Sequence, residues 1–279
     1  MTRLSPKHPR YRSLKVRAGL ARAAREGLVV PEGLIAHGRG EAFDYFLGER
    51  TLPSAARAER IAAAWLRSAR HPVLSVNGNV AALAAPEVAA LARSVPGLRV
   101  EVNLFHRTPG RARAIAARLR RAGVREVLGV RPTALLPGLP SDRARVDRRG
   151  IFGADVCLVP LEDGDRAEAL RAHGTRVISI DLNPMSRTSL RADLPIVDEL
   201  TRALAGITAA ALAWTGTATV PALAAVDAAA LREDARRTMA RRLRASEGSG
   251  RAGTARRGAS RPPSRTGRPS RRRPRVGPS

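Results

Sequence analysis

Thirteen residues near the N-terminus, Gly33-Leu34-Ile35-Ala36-His37-Gly38-Arg39-Gly40-Glu41-Ala42-Phe43-Asp44-Tyr45, bring together a histidine, an arginine, two acids and three glycines. Glycine opens backbone conformations closed to other residues and lets a ligand approach the main chain. Arginine offers a planar, permanently charged fork for phosphate or carboxylate. The segment therefore reads as a glycine-rich, anion-binding loop with a titratable imidazole beside it. Further polar clusters lie downstream: Asn77-Gly78-Asn79, Asn103 with His106-Arg107-Thr108, Glu162-Asp163-Gly164-Asp165, and Asp181-Leu182-Asn183-Pro184 with Ser186-Arg187-Thr188. Arg17, Arg39, Arg107 and Arg187 are the cations available to phosphate oxygens. His37 and His106, of a type that titrates near pH ~6.5, are the acid–base candidates, with a structural role the other reading of each. Asp163, Asp165 and Asp181 are carboxylates of the kind that holds Mg2+ beside substrate phosphates, Asp163 foremost; capping of the next helix is the other reading of Asp165. Asn77, Asn79, Asn103 and Asn183 suit the orientation of polar substrate groups or the formation of turns.

Such clusters need a frame, and the hydrophobic pattern supplies one. Helical spacing over Pro53 to Arg70 leads into an apolar run, Pro72 to Val76, that reads as a buried strand. Helix over Val80 to Ser94, strand over Leu98 to Asn103, helix over Pro109 to Ala122 and strand over Val127 to Val130 follow. Then come strand Asp155 to Val159, helix Asp165 to Ala172, strand Arg176 to Ile180 and helix Pro195 to Trp214. Strands separated by helices predict an α/β domain, with a Rossmann-like, mostly parallel sheet and flanking helices. The polar clusters then fall at the carboxyl ends of strands, where open α/β sheets bind ligands. Neither a Gly-x-Gly-x-x-Gly after the first strand nor a P-loop is present. Basic amphipathic helix Tyr11 to Gly27 precedes the sheet, and a charged helix, Asp227 to Ala245 with Asp227 as its cap, follows it.

The domain is expected over residues 1–246. Residues 247–279 consist of arginine, glycine, serine and proline with almost nothing to bury, and are expected to be a disordered basic tail. The formal net charge is +26, and residues 1–246 still carry +17 without the tail. That charge permits nucleic-acid binding without requiring it, since an enzyme of anionic substrates is also served by a positive body. No apolar window approaches the roughly 20 residues of a membrane span, and the first residues lack an apolar h-region, so a soluble, unsecreted protein is expected. The single cysteine, Cys157, sits in an apolar run and reads as a small core residue; disulfides within the chain and zinc–cysteine clusters are excluded.

Several segments carry more specific information. Ser5-Pro6-Lys7-His8-Pro9-Arg10-Tyr11 with Ser13-Leu14 and Arg17, the whole of Gly33 to Tyr45, Ser75-Val76-Asn77-Gly78-Asn79, Val102-Asn103-Leu104-Phe105, Val159 to Arg166, and Ile180 to Pro184 with Ser186-Arg187-Thr188 closely resemble the archaeal-type phosphopantothenate synthetase family, the 4-phosphopantoate--beta-alanine ligases. The resemblance runs from about Ser5 to Asp198. It implies condensation of 4-phosphopantoate with beta-alanine to 4'-phosphopantothenate, with ATP, as its Mg2+ complex, converted to AMP and diphosphate. It further implies a phosphopantoyl adenylate, a place in coenzyme A synthesis, and a cytoplasmic homodimer. Carried over residue by residue, the ATP contacts are Arg17, Arg39, Asp181, Leu182, Asn183, Arg187, Thr188, and the pair Glu199-Leu200 after Val197-Asp198. Asparagine is usual in the family at the position of Glu199, and a carboxylate cannot donate the hydrogen bonds of a carboxamide. Asn77, Asn79, Asn103 and Arg107 are assigned to 4-phosphopantoate from their place at strand ends, and His37 or His106 to the proton of the attacking amine. The rival expectations are a nucleic-acid-binding protein using its basic body and tail, or an inactive structural relative. A milder version is weak, sequence-blind nucleic-acid contact through the tail alone.

Overall fold

The structure is a computed structural model and describes residues 5–8, 10–216 and 226–254. Helices α1 (Tyr11–Arg25), α2 (Pro31–Leu47) and α3 (Pro53–Ser68) precede strand β1 (Pro72–Val76). Helix α4 (Gly78–Ser94), β2 (Arg99–Val102), α5 (Pro109–Arg121) and β3 (Val127–Leu128) complete the first half. A short hairpin, β4 (Ala134–Leu135) with β5 (Arg145–Val146), leads to β6 (Val156–Pro160), α6 (Gly164–Ala172), β7 (Arg176–Ile180), α7 (Arg187–Arg191), β8 (Leu194–Ile196) and α8 (Leu200–Leu212). Helix α9 (Ala228–Thr254) closes the described chain.

Six strands form one sheet in the order β3-β2-β1-β6-β7-β8, every pair parallel. The chain winds outward from β1 to β3, crosses back, and winds outward from β6 to β8. The reversal lies between β1 and β6, and such a switch point opens a crevice at the carboxyl ends of the strands. Strands β1 and β6 are buried along their whole length because helices cover both faces of the sheet. On β1, Leu74 and Val76 join the larger core and Val73 the smaller; on β6, Val156 and Leu158 go one way, Cys157 and Val159 the other. Cys157 is fully buried, and burial pushes its thiol up to about 12, as expected of a core residue.

Three expectations are corrected. Residues Gly33 to Tyr45 are not a loop but most of α2. Pro31 occupies its first turn, and Gly48, at φ 86°, ends it in the left-handed conformation. Gly33 instead allows close packing, since a Cβ there would overlap the Asn79 amide; a Cβ at Gly40 would make ordinary contact, 3.8 Å from Leu182 Cδ1, and one at Gly38 would meet nothing within 4 Å. Seven residues apart, Gly33 and Gly40 face the same way. Second, Pro195 belongs to β8, so the following helix starts at Leu200. An edge strand tolerates proline, whose missing N–H has no ladder partner to lose on the open side. Third, α9 continues through Thr254 rather than stopping at Ala245. Asp227 does cap it, its Oδ1 accepting from the amide of Ala230 at 2.8 Å. The chain forms a compact unit through Arg242 and a separate one from Leu243, which includes the end of this helix. Residues 255–279, most of the expected tail, lie outside the described residues.

Candidate active site

Helix α2 lies across the carboxyl ends of the strands. Near its start, the carbonyl of Gly33 accepts from Asn79 Nδ2 at 2.7 Å, just after β1. One residue from its middle, Gly40 meets Leu182, just after β7. In its last turn, Asp44 accepts from Arg202 Nη2 at 2.6 Å and Nη1 at 3.1 Å, on α8 just beyond β8. Residues scattered over 170 positions of sequence thereby come to one face.

Arg17, from α1, bonds Glu41 on α2 at 2.9 Å while its own side chain stays 47% exposed. Arg39 is exposed, and its charge opposes the effect of burial on Asp181, whose carboxyl burial raises above the ordinary carboxylate range. Asp181 Oδ1 accepts from the amide of Asn183 at 2.9 Å, folding the segment into a turn, and Leu182 packs with Phe43 and Leu47 of α2. His37 is half-buried. Burial lowers its proton affinity; Glu41 and Glu199 pull it back up and Arg17 pushes it down. The net effect is an imidazole below its usual range, neutral at pH 7 and able to accept a proton.

Arg187 opens α7, exposed and paired with the equally exposed Asp165. Thr188 is buried, donating to the carbonyl of Glu162 at 2.6 Å. Glu199 caps α8: its Oε2 accepts from the amides of Thr201 and Arg202 at 3.0 and 3.1 Å and from the Thr201 hydroxyl at 2.5 Å. The carboxylate thus fills the capping role open to an asparagine, which is an acceptor's role. Leu200, behind it, is buried.

The β1 and β2 ends are built differently. Asn77 caps α4 and sends Nδ2 to the carbonyl of Leu161 at 2.9 Å, across the switch point; Leu161 itself holds φ 52°, a left-handed conformation unusual outside glycine. Asn103 is fully buried and donates to the carbonyls of Arg143 and Arg145. Arg107 Nη2 donates to the carbonyls of Gly129 and Val130 at 2.6 and 2.9 Å. His106 is exposed, its ring edge-on to Phe105 with centroids 4.9 Å apart. Among the described residues, no hydrogen bond or ring contact joins the His106 ring to α2.

Beneath these ends is a buried ionic group. Glu162, its side chain 1% exposed, is shared by Arg143 (2.7 and 3.1 Å) and Arg166, and Arg166 also donates to Ser75 at 2.9 Å. Arg143 reaches in from the turn before β5, so the hairpin insertion braces β2 against β6. Asp163 is half-exposed and 3.2 Å from Arg143 Nε. Asp163, not Asp165, is the residue preceding α6, and its side chain makes no capping bond. No group of three His, Cys, Asp or Glu side chains among the described residues is placed to hold a metal ion. With Asp163 and Asp165 each facing an arginine, these carboxylates do not fit a protein-held Mg2+.

Motif reading missed Arg143, Arg202 and Glu59. For Arg202 a signal existed, since Asp198 and Arg202 have the i, i+4 spacing of a helix pair. Nothing local marks Arg143, whose partners lie 19 to 40 residues away.

A family model described as phosphopantothenate/pantothenate synthetase matches residues 54–242. The chain belongs to that family. Among similar phosphopantothenate synthetase relatives, the 4-phosphopantoate--beta-alanine ligase of Methanospirillum hungatei is 58% identical over 200 residues, 72% of this chain and 81% of the relative. The enzyme of the same name from Methanosarcina mazei is 54% identical over 204 residues (73% and 80%), and that of Thermococcus onnurineus 52% over 204 (73% and 78%).

Proposed function

We propose that this chain is an ATP-dependent ligase that joins 4-phosphopantoate to beta-alanine, giving 4'-phosphopantothenate, AMP and diphosphate in coenzyme A synthesis. The supporting observation is α2: it carries His37 and Arg39 over the ends of β7 and β8, where Asp181, Asn183 and Glu199 stand, in a chain up to 58% identical to enzymes of that name. A carboxylate is a poor electrophile, and adenylation corrects this. One carboxylate oxygen of 4-phosphopantoate attacks the α-phosphorus of ATP, the bond to the bridging oxygen breaks, and diphosphate departs. Arg17, Arg39 and Arg187 are the exposed cations that meet the charge on the phosphates. The free amine of beta-alanine then attacks the acyl carbon, AMP leaves with the carboxylate oxygen, and the surplus amine proton passes to His37.

In this proposal the ribose and base lie against Asp181–Asn183, Thr188 and the Glu199–Leu200 backbone. The 4-phosphopantoate pocket is shaped by Asn77, Asn79, Asn103 and Arg107, whose amides and guanidinium already hold backbone carbonyls and so set its walls. His106 stands on that side, near enough in sequence to Arg107 to serve the substrate end. Magnesium enters as the counterion of ATP, and no step is assigned to it. Leu34, Ile35, Tyr45 and Phe46 leave an exposed apolar strip on α2, which we assign to a homodimer contact. We place the activity in the cytoplasm; no helix among the described residues is long and apolar enough to cross a membrane.

Product analysis with purified protein, Mg-ATP, 4-phosphopantoate and beta-alanine tests the reading. AMP and 4'-phosphopantothenate are expected only when both acids are present. ADP in place of AMP would overturn the adenylate, and a folded protein yielding no product would overturn the ligase.

A further inference from the structure

The polar knot beneath the C-terminal end of α2 is not called on by any step above. Arg202 grips both oxygens of Asp44 (2.6 and 3.1 Å) and, through Nε and Nη2, one oxygen of Asp198 (2.9 and 2.6 Å). That same Asp198 oxygen accepts from the amide of Glu199 at 2.7 Å, and the other accepts from the Thr51 hydroxyl at 2.5 Å. The side chains of Arg202 and Asp44 are 13% and 14% exposed and that of Asp198 is wholly buried. Burial works against the guanidinium charge, yet the two carboxylates hold its proton more firmly than usual.

One guanidinium therefore fastens the last turn of α2 to the strand end that carries Glu199. Asp44 lies five residues from Arg39 and seven from His37, within two turns of one helix, so any shift at Asp44 is passed to both. The remaining ties of α2 are spread along its length, and none of them is a two-pronged grip on a carboxylate. They include the Arg17–Glu41 pair, whose arginine is half-exposed, the Asn79 bond near its start, and Phe43 and Leu47 in a small apolar cluster. Those apolar contacts allow the helix to slide or rotate; the two-pronged bond fixes register and direction.

We propose that Arg202 is a positioning residue for nucleotide binding, setting α2 over the ends of β7 and β8 so that Arg39 meets the phosphates. It touches no substrate itself. The proposal rests on the ligase reading for the identity of the ligand, but its consequence is read in binding alone. It also separates Arg202 from a residue that merely stabilises the fold, since its effect must run through Arg39.

The test is a double-mutant cycle on the full chain, with ATP affinity measured by equilibrium titration without the other substrates. Asp44→Asn should weaken ATP binding about tenfold in the wild-type background and less than about twofold once Arg39→Gln is present, the non-additivity of coupled sites. Arg202→Lys, which keeps the charge but loses the fork, should repeat the result and stands in if Asp44→Asn does not fold. Equal losses in both backgrounds, or unchanged affinity in a variant that is folded by circular dichroism, would overturn the proposal while leaving the ligase intact. A wild-type chain that binds no ATP would remove both. Coupled ATP binding without ligase turnover would remove only the ligase.

Discussion

The two halves of the strand-end crevice spend their polar groups in opposite ways. Over β7 and β8 the three cations assigned to the phosphates stay exposed, Arg17 paired with Glu41, Arg187 with the exposed Asp165, and Arg39 acting on Asp181 through its charge, while Arg202 is the buried exception. Over β1, β2 and β6 the asparagines, Arg107, Arg143 and Arg166 are already engaged with carbonyls and with Glu162. An exposed arginine keeps donors for a ligand that arrives, whereas Arg143 has its donors and charge taken up by Glu162, Asp163 and the Asn103 carbonyl. Residue type alone does not distinguish the two; the partner does.

That contrast can be broken most sharply at Glu162. Glu162→Ala leaves Arg166 buried without a carboxylate, and Arg143 with only the half-exposed Asp163, and should cost about 3–5 kcal/mol. Urea unfolding would show it, as a low midpoint or as a chain that fails to fold. Arg39→Ala belongs to the other half. It should lower kcat/KM for ATP about 100-fold, through loss of a charge-assisted contact, with stability changed by no more than about 0.5 kcal/mol. Steady-state kinetics and a thermal melt on one preparation decide it; equal stability losses in the two variants would erase the distinction.

A third prediction sharpens the comparison through pH. Glu59, 5% exposed on α3, is pushed up to about 8, first by burial, then by the charge of Asp198, with Arg202 and Arg60 working in the other direction. Its carboxyl is protonated in the folded chain at neutral pH and ionised in the unfolded one, so the folded state binds the extra proton. Stability from this group is complete below the unfolded pKa and is lost as pH rises through about 8. Wild type should lose about 2 kcal/mol more than Glu59→Gln between pH 6 and 9. Comparing the two chains cancels Glu101, a second buried carboxyl pushed to about 7. Parallel stability–pH curves would contradict the burial assigned to Glu59.

The smallest effect is expected at Glu199→Asn. The α8 cap survives, with stability altered by under about 1 kcal/mol. The negative charge that supports protonation of His37 is removed, however, so the acidic limb of the rate profile should move to lower pH. An unmoved limb would take the amine proton away from His37.

How much of this was legible beforehand follows from the range of each interaction. The βα alternation, the buried setting of Cys157 and the polar strand ends are written in local periodicity, and the structure keeps them. Gly33 misled because glycine marks either a turn or a close approach, and only the presence of Asn79 across the gap selects the second; nothing in the packing requires glycine at Gly38 or Gly40. Pro195 misled because a proline near a helix start also suits an edge strand, and the pairing of β8 with β7 decides which.

By itself, then, the sequence determined the layered architecture and the kinds of group gathered at the strand ends, since both depend on residue type and short-range spacing. The tertiary structure decided which of those groups remain free. Arg143 meets Glu162 and Arg202 meets Asp44 across 19 and 158 residues. Such pairs form only when packing brings their elements together, and a guanidinium bound in that way is no longer available to a phosphate.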